Sequence, residues 1–555
     1  MKRTEAIARL TAPGEPSEII EGKLWGRPCR MFRNTPRNLR ELFESTRSDA
    51  TFLVYDSERY TFDETQRAAA RVSNLLINRY GIRKGDRVAI SMRNFPEWVF
   101  AYNAITSIGA IAVALNALWE PEEMAFGLED CGARVLFADQ ERLDRLATMQ
   151  SDHIPEVIAV RPRSDLSPGI ENLADLIQDE SDDFPDATVE PDDPATIFYT
   201  SGSTGHPKGA VSCHGNILNA LWSGELEGQV GPMVSGVKPP ERDYQLAALL
   251  GVPLFHATGN HAVILRSYRL QRKVVSMYRW DAERALDLIE AERIATVIAP
   301  STVTGDLVRA AENSSRDLSS LRAVGGGGAA RSPEQVRNID RTLGNAVPVT
   351  GWGMTETNSI GTGIGGEDYL QHPGSSGRPS AVVDLRVVDE NGDPLPAGER
   401  GELQVRGATI IQGYWNNPEA TAESFDGDWL KTGDIAYLDD EGYLYIVDRI
   451  KDLVIRGGEN IGCAEVEAAL LEHPDVLEAA VYAVPDERLG EEVGATVHVA
   501  NHVDAEALRS FLKGHIAGFK IPRYISFMSV PLPRLGSGKI DKRSVRGAFV
   551  DSITQ

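Results

Sequence analysis

The chain has 555 residues, of which 42% are hydrophobic and 25% are charged, and its formal net charge is −24 at pH 7. A chain of this length is too long to fold around a single hydrophobic core, so two or more domains are expected. The acidic balance argues against a nucleic-acid partner and against electrostatic docking to anionic lipid, because both ligands carry negative charge.

Cysteine usage and hydropathy favour a cytoplasmic protein. Four cysteines lie far apart without metal-ligand spacing, which is typical of a reducing compartment: Cys29, Cys131, Cys213 and Cys463. Residues 1–10 lack the sustained apolar core of a secretory signal. Residues 99–119 carry no charge and are long enough for a membrane span. We expect instead a helix that starts at Pro96 and ends at Gly109, followed by a strand over residues 110–115.

Short β-branched runs alternate with helical patterns through most of the chain, which predicts parallel sheets covered by helices. The predicted strands are residues 87–91, 134–138, 157–160 and 295–299, with an amphipathic helix over 282–292. From residue 384 shorter strands follow turns at 391–394 and 439–442, which indicates antiparallel or barrel-like structure. Residues 476–515 return to a mixed α+β pattern.

The predicted fold is therefore α/β, with doubly wound sheets and a small distorted β-barrel in a large N-terminal domain. A hinged, small α+β domain follows it. We place the boundaries at 1–45 for an N-terminal extension of unknown function, 46–448 for the large domain, 449–451 for the hinge and 452–555 for the small domain.

A loop rich in glycine and hydroxyl side chains follows the apolar run at residues 195–198. Its candidate phosphate-binding residues are Thr200, Ser201, Gly202, Ser203, Thr204 and Lys208. Glycines let backbone N–H groups approach a polyanion, hydroxyls donate further hydrogen bonds and lysine adds a point charge. The pattern predicts a nucleotide triphosphate site rather than a Gly/Ser linker. It differs from the P-loop because Lys208 stands between Pro207 and Gly209.

This loop resembles the signature of the adenylate-forming superfamily, which includes acyl-CoA synthetases, luciferases and peptide-synthetase adenylation domains. From about residue 50 to about residue 545 the chain is similar to bacterial medium- and long-chain fatty acid–CoA ligases. The resemblance implies an AMP-binding enzyme that uses ATP, Mg²⁺ and coenzyme A. It activates a carboxylic acid as acyl-AMP with release of pyrophosphate and then transfers the acyl group to the thiol.

A second motif, residues 351–357, follows a predicted strand. An aromatic ring between glycines can lie against a nucleobase, and a carboxylate can hold the magnesium that accompanies ATP. The resemblance implies that Trp352 packs on adenine, Thr355 touches the α-phosphate and Glu356 binds Mg²⁺. It also implies that the glycine run containing Gly325 and Gly327 forms the wall between the adenine and acyl sites.

Four later motifs complete the resemblance. Asp434 matches the ribose-binding aspartate and Arg449 matches an arginine that contacts ribose and phosphate. Lys451 matches the hinge about which the small domain turns. Gly457 and Gly458 would line the coenzyme A channel, and Lys539 occupies the position of the adenylation lysine. The catalytic residues implied are thus Lys539, Lys208 and Glu356.

The identity of the acid stays open among several alternatives. His256 stands where amino-acid-activating domains carry an aspartate, which argues against an α-amino acid and makes His256 a candidate substrate-pocket residue. We read the glycine run as room for a long apolar tunnel, which favours medium- or long-chain fatty acids or a bulky alicyclic or steroid acid. Plant-type aryl ligases usually have lysines where Ile455 and Gly457 stand, which weakens an aryl assignment without excluding it.

Luciferase-type chemistry and a silent binding protein on the same fold also stay open, although no key side chain is missing. The expected partners are small molecules, namely the acid, ATP and coenzyme A. We expect no transmembrane span and at most a peripheral membrane association. Oligomeric state is undetermined, with a homodimer as one alternative.

Overall fold

The computed structural model describes residues 1–151, 153–200, 207–236, 243–327, 331–456, 459–536 and 538–554. Within these residues, an eight-stranded and a nine-stranded sheet form the large domain. A five-stranded antiparallel sheet follows them, and another five-stranded sheet forms the small C-terminal domain. The chain is thus an α/β protein with a large and a small domain, as predicted.

The eight-stranded sheet carries the strand that leads into the glycine-rich loop. In spatial order its strands are Gly413–Tyr414, Lys208–Cys213, Pro194–Thr200, Ile111–Ala114, Arg87–Ser91, Val135–Asp139, Glu156–Val160 and Glu171–Asn172. All neighbours from Pro194–Thr200 onward pair in parallel, and the two pairs that involve Lys208–Cys213 are antiparallel. The predicted strands at 87–91, 134–138 and 157–160 all lie in this sheet.

The nine-stranded sheet supplies the second half of the core. In spatial order its strands are Arg378–Pro379, Thr362–Gly365, Val347–Thr350, Ala323–Gly326, Ile294–Ile298, Ala247–Leu250, Lys273–Ser276, Thr51–Tyr55 and Glu58–Thr61. The central strands, from Val347–Thr350 to Thr51–Tyr55, pair in parallel. Parallel strands need covering on both faces, and the buried clusters on each side of this sheet provide that cover.

Helices lie between the strands and over the sheets. In the large domain they are Arg3–Leu10, Leu39–Ser45, Phe62–Asn78, Pro96–Ser107, Pro121–Cys131, Gln140–Leu146, Leu173–Leu176, His214–Ser235, Arg266–Arg269, Ala282–Glu292, Ser301–Glu312, Pro333–Thr342, Glu367–Gln371 and Pro418–Ser424. A π-helix, Thr258–Leu265, and a 3₁₀ turn, Thr355–Thr357, complete the set.

The uncharged stretch at 99–119 resolves as predicted into a helix and a strand. Pro96 begins the helix Pro96–Ser107, and Gly109 turns the chain at φ +73° before the strand Ile111–Ala114. Both elements are buried in the large domain. Across the described ranges, no helix combines the length and apolar character that a membrane crossing demands.

The antiparallel sheet predicted from residue 384 contains the strands Val383–Val388, Gly401–Gly407, Phe425–Asp426, Trp429–Leu438 and Leu444–Arg449. The 3₁₀ turn Ile450–Asp452 leads from it into the small domain. The small domain has strands Val454–Arg456, Glu459–Ile461, Val476–Asp486, Gly490–Val499 and Tyr524–Met528, helices Cys463–Leu470, Ala505–Leu512 and Lys542–Thr554, and a 3₁₀ turn Gly518–Lys520. Its sheet buries a separate apolar core.

The first 45 residues, for which the sequence predicts no function, pack on the large domain. A hairpin joins Ile19–Leu24 to Arg27–Phe32, and the helix Arg3–Leu10 precedes it. Arg3 pairs with Glu227 at 2.6 Å, and the backbone N–H of Phe32 donates to Oδ1 of Asn219. Both partners lie on the helix His214–Ser235, so this segment covers that helix.

Candidate active site

The two ends of the glycine-rich loop are fixed by antiparallel pairing. Thr200 lies opposite Lys208 in the register of strands Pro194–Thr200 and Lys208–Cys213, and its hydroxyl donates to the carbonyl of Lys208 at 3.3 Å. The ammonium of Lys208 lies 5.3 Å from the ring centroid of Tyr414. The predicted phosphate-binding residues Ser201, Gly202, Ser203 and Thr204 lie outside the described residues.

Glu356 is a buried carboxylate beside Tyr414, which lies in the edge strand Gly413–Tyr414 of the eight-stranded sheet. Glu356 lies in the 3₁₀ turn Thr355–Thr357 and is 6% exposed. The hydroxyl of Tyr414 donates to its Oε1 at 2.8 Å. Burial raises the pKa of the Glu356 carboxyl because it disfavours the charged form, and the Tyr414 bond opposes that rise. A divalent cation bound to the carboxylate would favour its charged form and so offset the effect of burial. The site therefore fits the predicted Mg²⁺.

Trp352 and Arg449 hold the two oxygens of Asp434. The indole N–H of Trp352 donates to Oδ2 at 2.7 Å, and Nε of Arg449 lies 2.9 Å from Oδ1. Asp434 and Arg449 face each other on the paired strands Trp429–Leu438 and Leu444–Arg449, which explains the second contact. The backbone N–H of Asp434 also donates to the hydroxyl of Thr432. The predicted adenine and ribose residues therefore form one hydrogen-bonded group.

The turn that carries Lys539 docks on the large domain. The hydroxyl of Thr302 donates to the carbonyl of Gly538 at 2.6 Å, and Arg534 pairs with Asp306 at 2.8 Å. Thr302 and Asp306 lie on the helix Ser301–Glu312 of the large domain. Gly538 takes a φ of +83°, a conformation that favours glycine. The small domain thus sits in an orientation that brings Lys539 to the site.

Lys539 is partly buried among the other predicted residues. Burial and then repulsion from Arg449 lower the pKa of its ammonium, and Asp434 opposes both, which leaves that pKa at about 8. The same ammonium acts on His256: burial first, and then the charge of Lys539, lower the pKa of the His256 imidazole to about 4. His256 is neutral at pH 7, and its Nε2 has no hydrogen-bond partner among the described residues.

Gly325 and Gly327 pack closely against the backbone of neighbouring residues, so the expectation that this glycine run leaves open space is wrong. A Cβ on Gly325 would lie 1.7 Å from the carbonyl oxygen of Val349, and one on Gly327 would lie 2.7 Å from that of Gly351. These contacts cross to the strand Val347–Thr350 and the motif that follows it. Glycine is required here by close backbone packing, so the run gives no support to a wide acyl tunnel.

The structure describes only part of the predicted hinge and of the predicted coenzyme A loop. Lys451 lies in the turn Ile450–Asp452, between the last strand of the antiparallel sheet and the first strand of the small domain, where the sequence predicts the hinge. Gly457 and Gly458 lie outside the described residues. Asp448, just before the turn, accepts a hydrogen bond from the backbone N–H of Ala464 in the small domain.

The structure adds Tyr414 and the ion pair Asp306–Arg534 to the candidate site, and none of these residues belongs to a sequence motif described above. Tyr414 contacts both Glu356 and Lys208, although it lies far from each along the chain. Its only signal in the sequence is the run Gly413-Tyr414-Trp415. The pair Asp306–Arg534 links the two domains, and no local sequence pattern indicates it because its residues lie far apart in the chain.

The chain is similar to known proteins over both of its domains. The AMP-binding enzyme family matches residues 41–415, and the C-terminal domain of AMP-binding enzymes matches residues 465–539. The chain is 36% identical to a feruloyl-CoA synthase from Amycolatopsis sp. over 90% of its length and 96% of the relative's. It is 32% identical to the long-chain-fatty-acid–CoA ligase FadD13 of Mycobacterium tuberculosis, over 89% and 94% of the two chains.

The fold matches a solved relative across almost its full length. The anthranilate CoA ligase AuaEII, determined in complex with anthranoyl-AMP, superposes with a TM-score of 0.83 at 27% identity, over 93% of this chain and 98% of that one. These matches cover both domains. The chain therefore belongs to the AMP-binding enzyme family of the adenylate-forming superfamily, as an AMP-forming acid–CoA ligase that uses ATP, Mg²⁺ and coenzyme A.

Proposed function

We propose that the protein couples a hydrophobic carboxylic acid to coenzyme A through an acyl-adenylate. A carboxylate oxygen of the acid attacks the α-phosphorus of ATP, and pyrophosphate leaves. The thiol of coenzyme A then attacks the acyl carbon, and AMP leaves. One observation carries the proposal: the turn that carries Lys539 docks on the large domain through the hydrogen bond between Thr302 and Gly538. In that position the Lys539 ammonium is close enough to His256, Asp434 and Arg449 for their charges to interact.

In the first step Lys539 would bridge the acid's carboxylate and the α-phosphate while negative charge develops between them. A fixed ammonium in a partly buried site stabilises that charge more than water does, and it needs no reorganisation during the reaction. Its pKa of about 8 leaves the ammonium mostly protonated at pH 7. His256, neutral beside it, would border the carboxylate without adding a competing charge.

Nucleotide binding would use the other residues of the site. Asp434, oriented by Trp352 and Arg449, would accept hydrogen bonds from the ribose hydroxyls. Lys208 and the hydroxyls of the glycine-rich loop would hold the phosphates. Glu356 would bind Mg²⁺, which when bound neutralises phosphate charge. Most of the rate enhancement would then come from positioning and charge stabilisation.

The thioester step requires a different arrangement of the small domain. Lys539 would leave the site by rotation about the turn at Lys451, and the loop with Gly457 and Gly458 would approach to line a channel for pantetheine. The contacts Thr302–Gly538 and Asp306–Arg534 would break in that rotation. They would therefore favour the adenylation orientation over the thioester orientation.

Two acid classes remain candidates. Medium- or long-chain fatty acids are favoured by the similarity to a long-chain-fatty-acid–CoA ligase. Aryl acids are the second candidate, favoured by the 36% identity to a feruloyl-CoA synthase. The close packing of Gly325 and Gly327 removes the tunnel argument that separated the two classes.

Acid-dependent release of pyrophosphate from Mg·ATP tests the proposal, with thioester formation measured after coenzyme A is added. The panel should contain acetate, octanoate, palmitate, benzoate, coumarate and a bile acid. We expect turnover with at least one large acid and slow turnover with acetate. Fastest turnover with acetate would contradict a hydrophobic acid, and no pyrophosphate with any acid would contradict adenylation itself.

A further inference from the structure

The π-helix Thr258–Leu265 begins two residues after His256. The backbone N–H of Asn260 donates to the carbonyl of His256 at 3.1 Å, so Asn260 lies one helical turn further on. Residues four apart on a helix share a face, with Cβ atoms separated by about 5–6 Å. Because His256 lies beside Lys539, this face leads from the adenylation centre into the large domain. π-Helical turns occur frequently at functional sites.

Three buried side chains around this turn have no hydrogen-bond partner for their polar atoms. Asn260 is 0% exposed, His261 2% and Tyr102 1%. Within the described residues, five polar atoms of these side chains have no hydrogen-bond partner. They are both amide atoms of Asn260, both ring nitrogens of His261 and the hydroxyl oxygen of Tyr102. Most buried polar groups are paired, because burying an unpaired one is costly. We call Tyr102, Asn260 and His261 the buried polar cluster.

The cluster is neutral and has aromatic neighbours. Burial lowers the pKa of His261 to about 3, and no charged group of the described chain contributes to that shift. The ring of His261 packs edge-on to Phe198 at 5.3 Å, in the strand that leads to the glycine-rich loop. Tyr102 stacks on Trp98 at 5.4 Å. The side chain of Asn260 faces the Tyr102 hydroxyl, and their interaction opposes the rise that burial causes in the pKa of that hydroxyl.

We infer that the buried polar cluster binds a neutral polar substituent of the acid substrate, such as a hydroxyl, phenol or carbonyl group. The inference rests on the proposed function and narrows its substrate class. The substituent would lie roughly one helical turn beyond the carboxylate, because Asn260 follows His256 by one turn. Asn260 and neutral His261 each offer one hydrogen-bond donor and one acceptor. Either residue can therefore donate to a carbonyl or hydroxyl oxygen, or accept from a hydroxyl or phenol O–H. A plain alkyl chain or an unsubstituted ring would leave these atoms unpaired.

Matched acids that differ by one hydroxyl test this inference on the wild-type protein. The pairs are benzoate with 4-hydroxybenzoate, cinnamate with 4-hydroxycinnamate, and hexanoate with 6-hydroxyhexanoate. The measurement is kcat/KM for acid-dependent pyrophosphate release. For at least one pair we expect the hydroxylated acid to exceed its parent by about tenfold or more, because the parent leaves buried polar groups unpaired.

Two variants identify the residues responsible. Asn260→Leu keeps the side-chain size and removes both polar atoms, so the preference for the hydroxylated acid should fall to within about twofold. Asn103→Leu is the matched control: Asn103 is equally buried, but its side-chain N–H donates to the hydroxyl of Tyr268 at 2.6 Å, and only its Oδ1 has no partner among the described residues. That variant should keep the wild-type preference. Thermal unfolding of both variants shows whether each one folds.

The outcomes separate the inference from the function on which it rests. Pyrophosphate release with no hydroxyl preference in any pair would overturn the inference and leave the ligase assignment standing. The same holds if Asn260→Leu folds and keeps the wild-type preference. If no acid of any class supports pyrophosphate release, the proposed function is wrong, and the inference that depends on it is wrong as well.

Discussion

The indole N–H of Trp352 donates a 2.7 Å hydrogen bond to Oδ2 of Asp434, a residue 82 positions further along the chain. The sequence predicts only that the ring of Trp352 packs on adenine. The structure shows that the indole also orients the carboxylate expected to bind ribose. Trp352 is therefore a candidate for both adenine packing and ribose positioning.

Trp352→Phe should raise the KM for ATP by roughly tenfold, because it removes a hydrogen bond to a charged group and keeps an aromatic ring. The KM for the acid should change little. The measurement is pyrophosphate release as a function of ATP concentration. Trp280→Phe is the control, since the indole nitrogen of Trp280 has no hydrogen-bond partner among the described residues. Equal effects of the two substitutions on the KM for ATP would show that the indole of Trp352 does not position the Asp434 carboxylate.

Lys539→Ala should reduce adenylation by about 100- to 1000-fold, because it removes the cation that faces the developing charge. Thioester formation from pre-made acyl-adenylate should continue, since the lysine leaves the site for that step. The two half-reactions are measured separately. Lys513→Ala, an exposed lysine of the same domain, should affect neither. Equal losses in both half-reactions would contradict the assignment of Lys539.

The pKa of Lys539 predicts how adenylation depends on pH. The pKa of about 8 means that the ammonium is lost as pH rises through 8. The kcat/KM for the acid, which reports groups of the free enzyme, should therefore fall above about pH 8. Thioester formation from pre-made acyl-adenylate should show no fall with that midpoint. A flat adenylation profile up to pH 10 would show that the charge of Lys539 is not needed.

Tyr414→Phe should impair the proposed magnesium site. Burial raises the pKa of Glu356, and the hydroxyl of Tyr414 lowers it by donating a hydrogen bond to the carboxylate. Removing that donor raises the pKa further, so the acidic limb of the adenylation profile should move to higher pH. We also expect a roughly tenfold higher requirement for Mg²⁺. An unchanged Mg²⁺ requirement and an unchanged acidic limb would show that Tyr414 does not support Glu356.

Thr302→Val tests whether interdomain contacts favour the adenylation orientation. The substitution removes the 2.6 Å hydrogen bond to the carbonyl of Gly538 and keeps the side-chain size. Adenylation should slow by about five- to tenfold, and thioester formation from acyl-adenylate should be unchanged or faster. Thr304→Val is a suitable control, because the Thr304 hydroxyl bonds within the large domain. Slowing of both half-reactions by Thr302→Val would indicate general damage to the site.

Local patterns predicted much of the fold. The alternation of β-branched runs and amphipathic segments predicted the strands Arg87–Ser91 and Glu156–Val160 and the helix Ala282–Glu292, because each depends on residues near one another in sequence. The helix and strand within the uncharged stretch followed from Pro96 and Gly109 for the same reason.

The sequence alone determined which chemical groups are present and in which order: a glycine-hydroxyl loop, Glu356, Asp434, Arg449 and Lys539. The tertiary structure decided which of them meet. Tyr414 beside Glu356, Trp352 beside Asp434 and Thr302 beside Gly538 are contacts between segments distant in sequence. Such contacts depend on how sheets and domains pack. The glycine run illustrates the difference, since its composition suggested open space and only packing revealed a neighbouring strand.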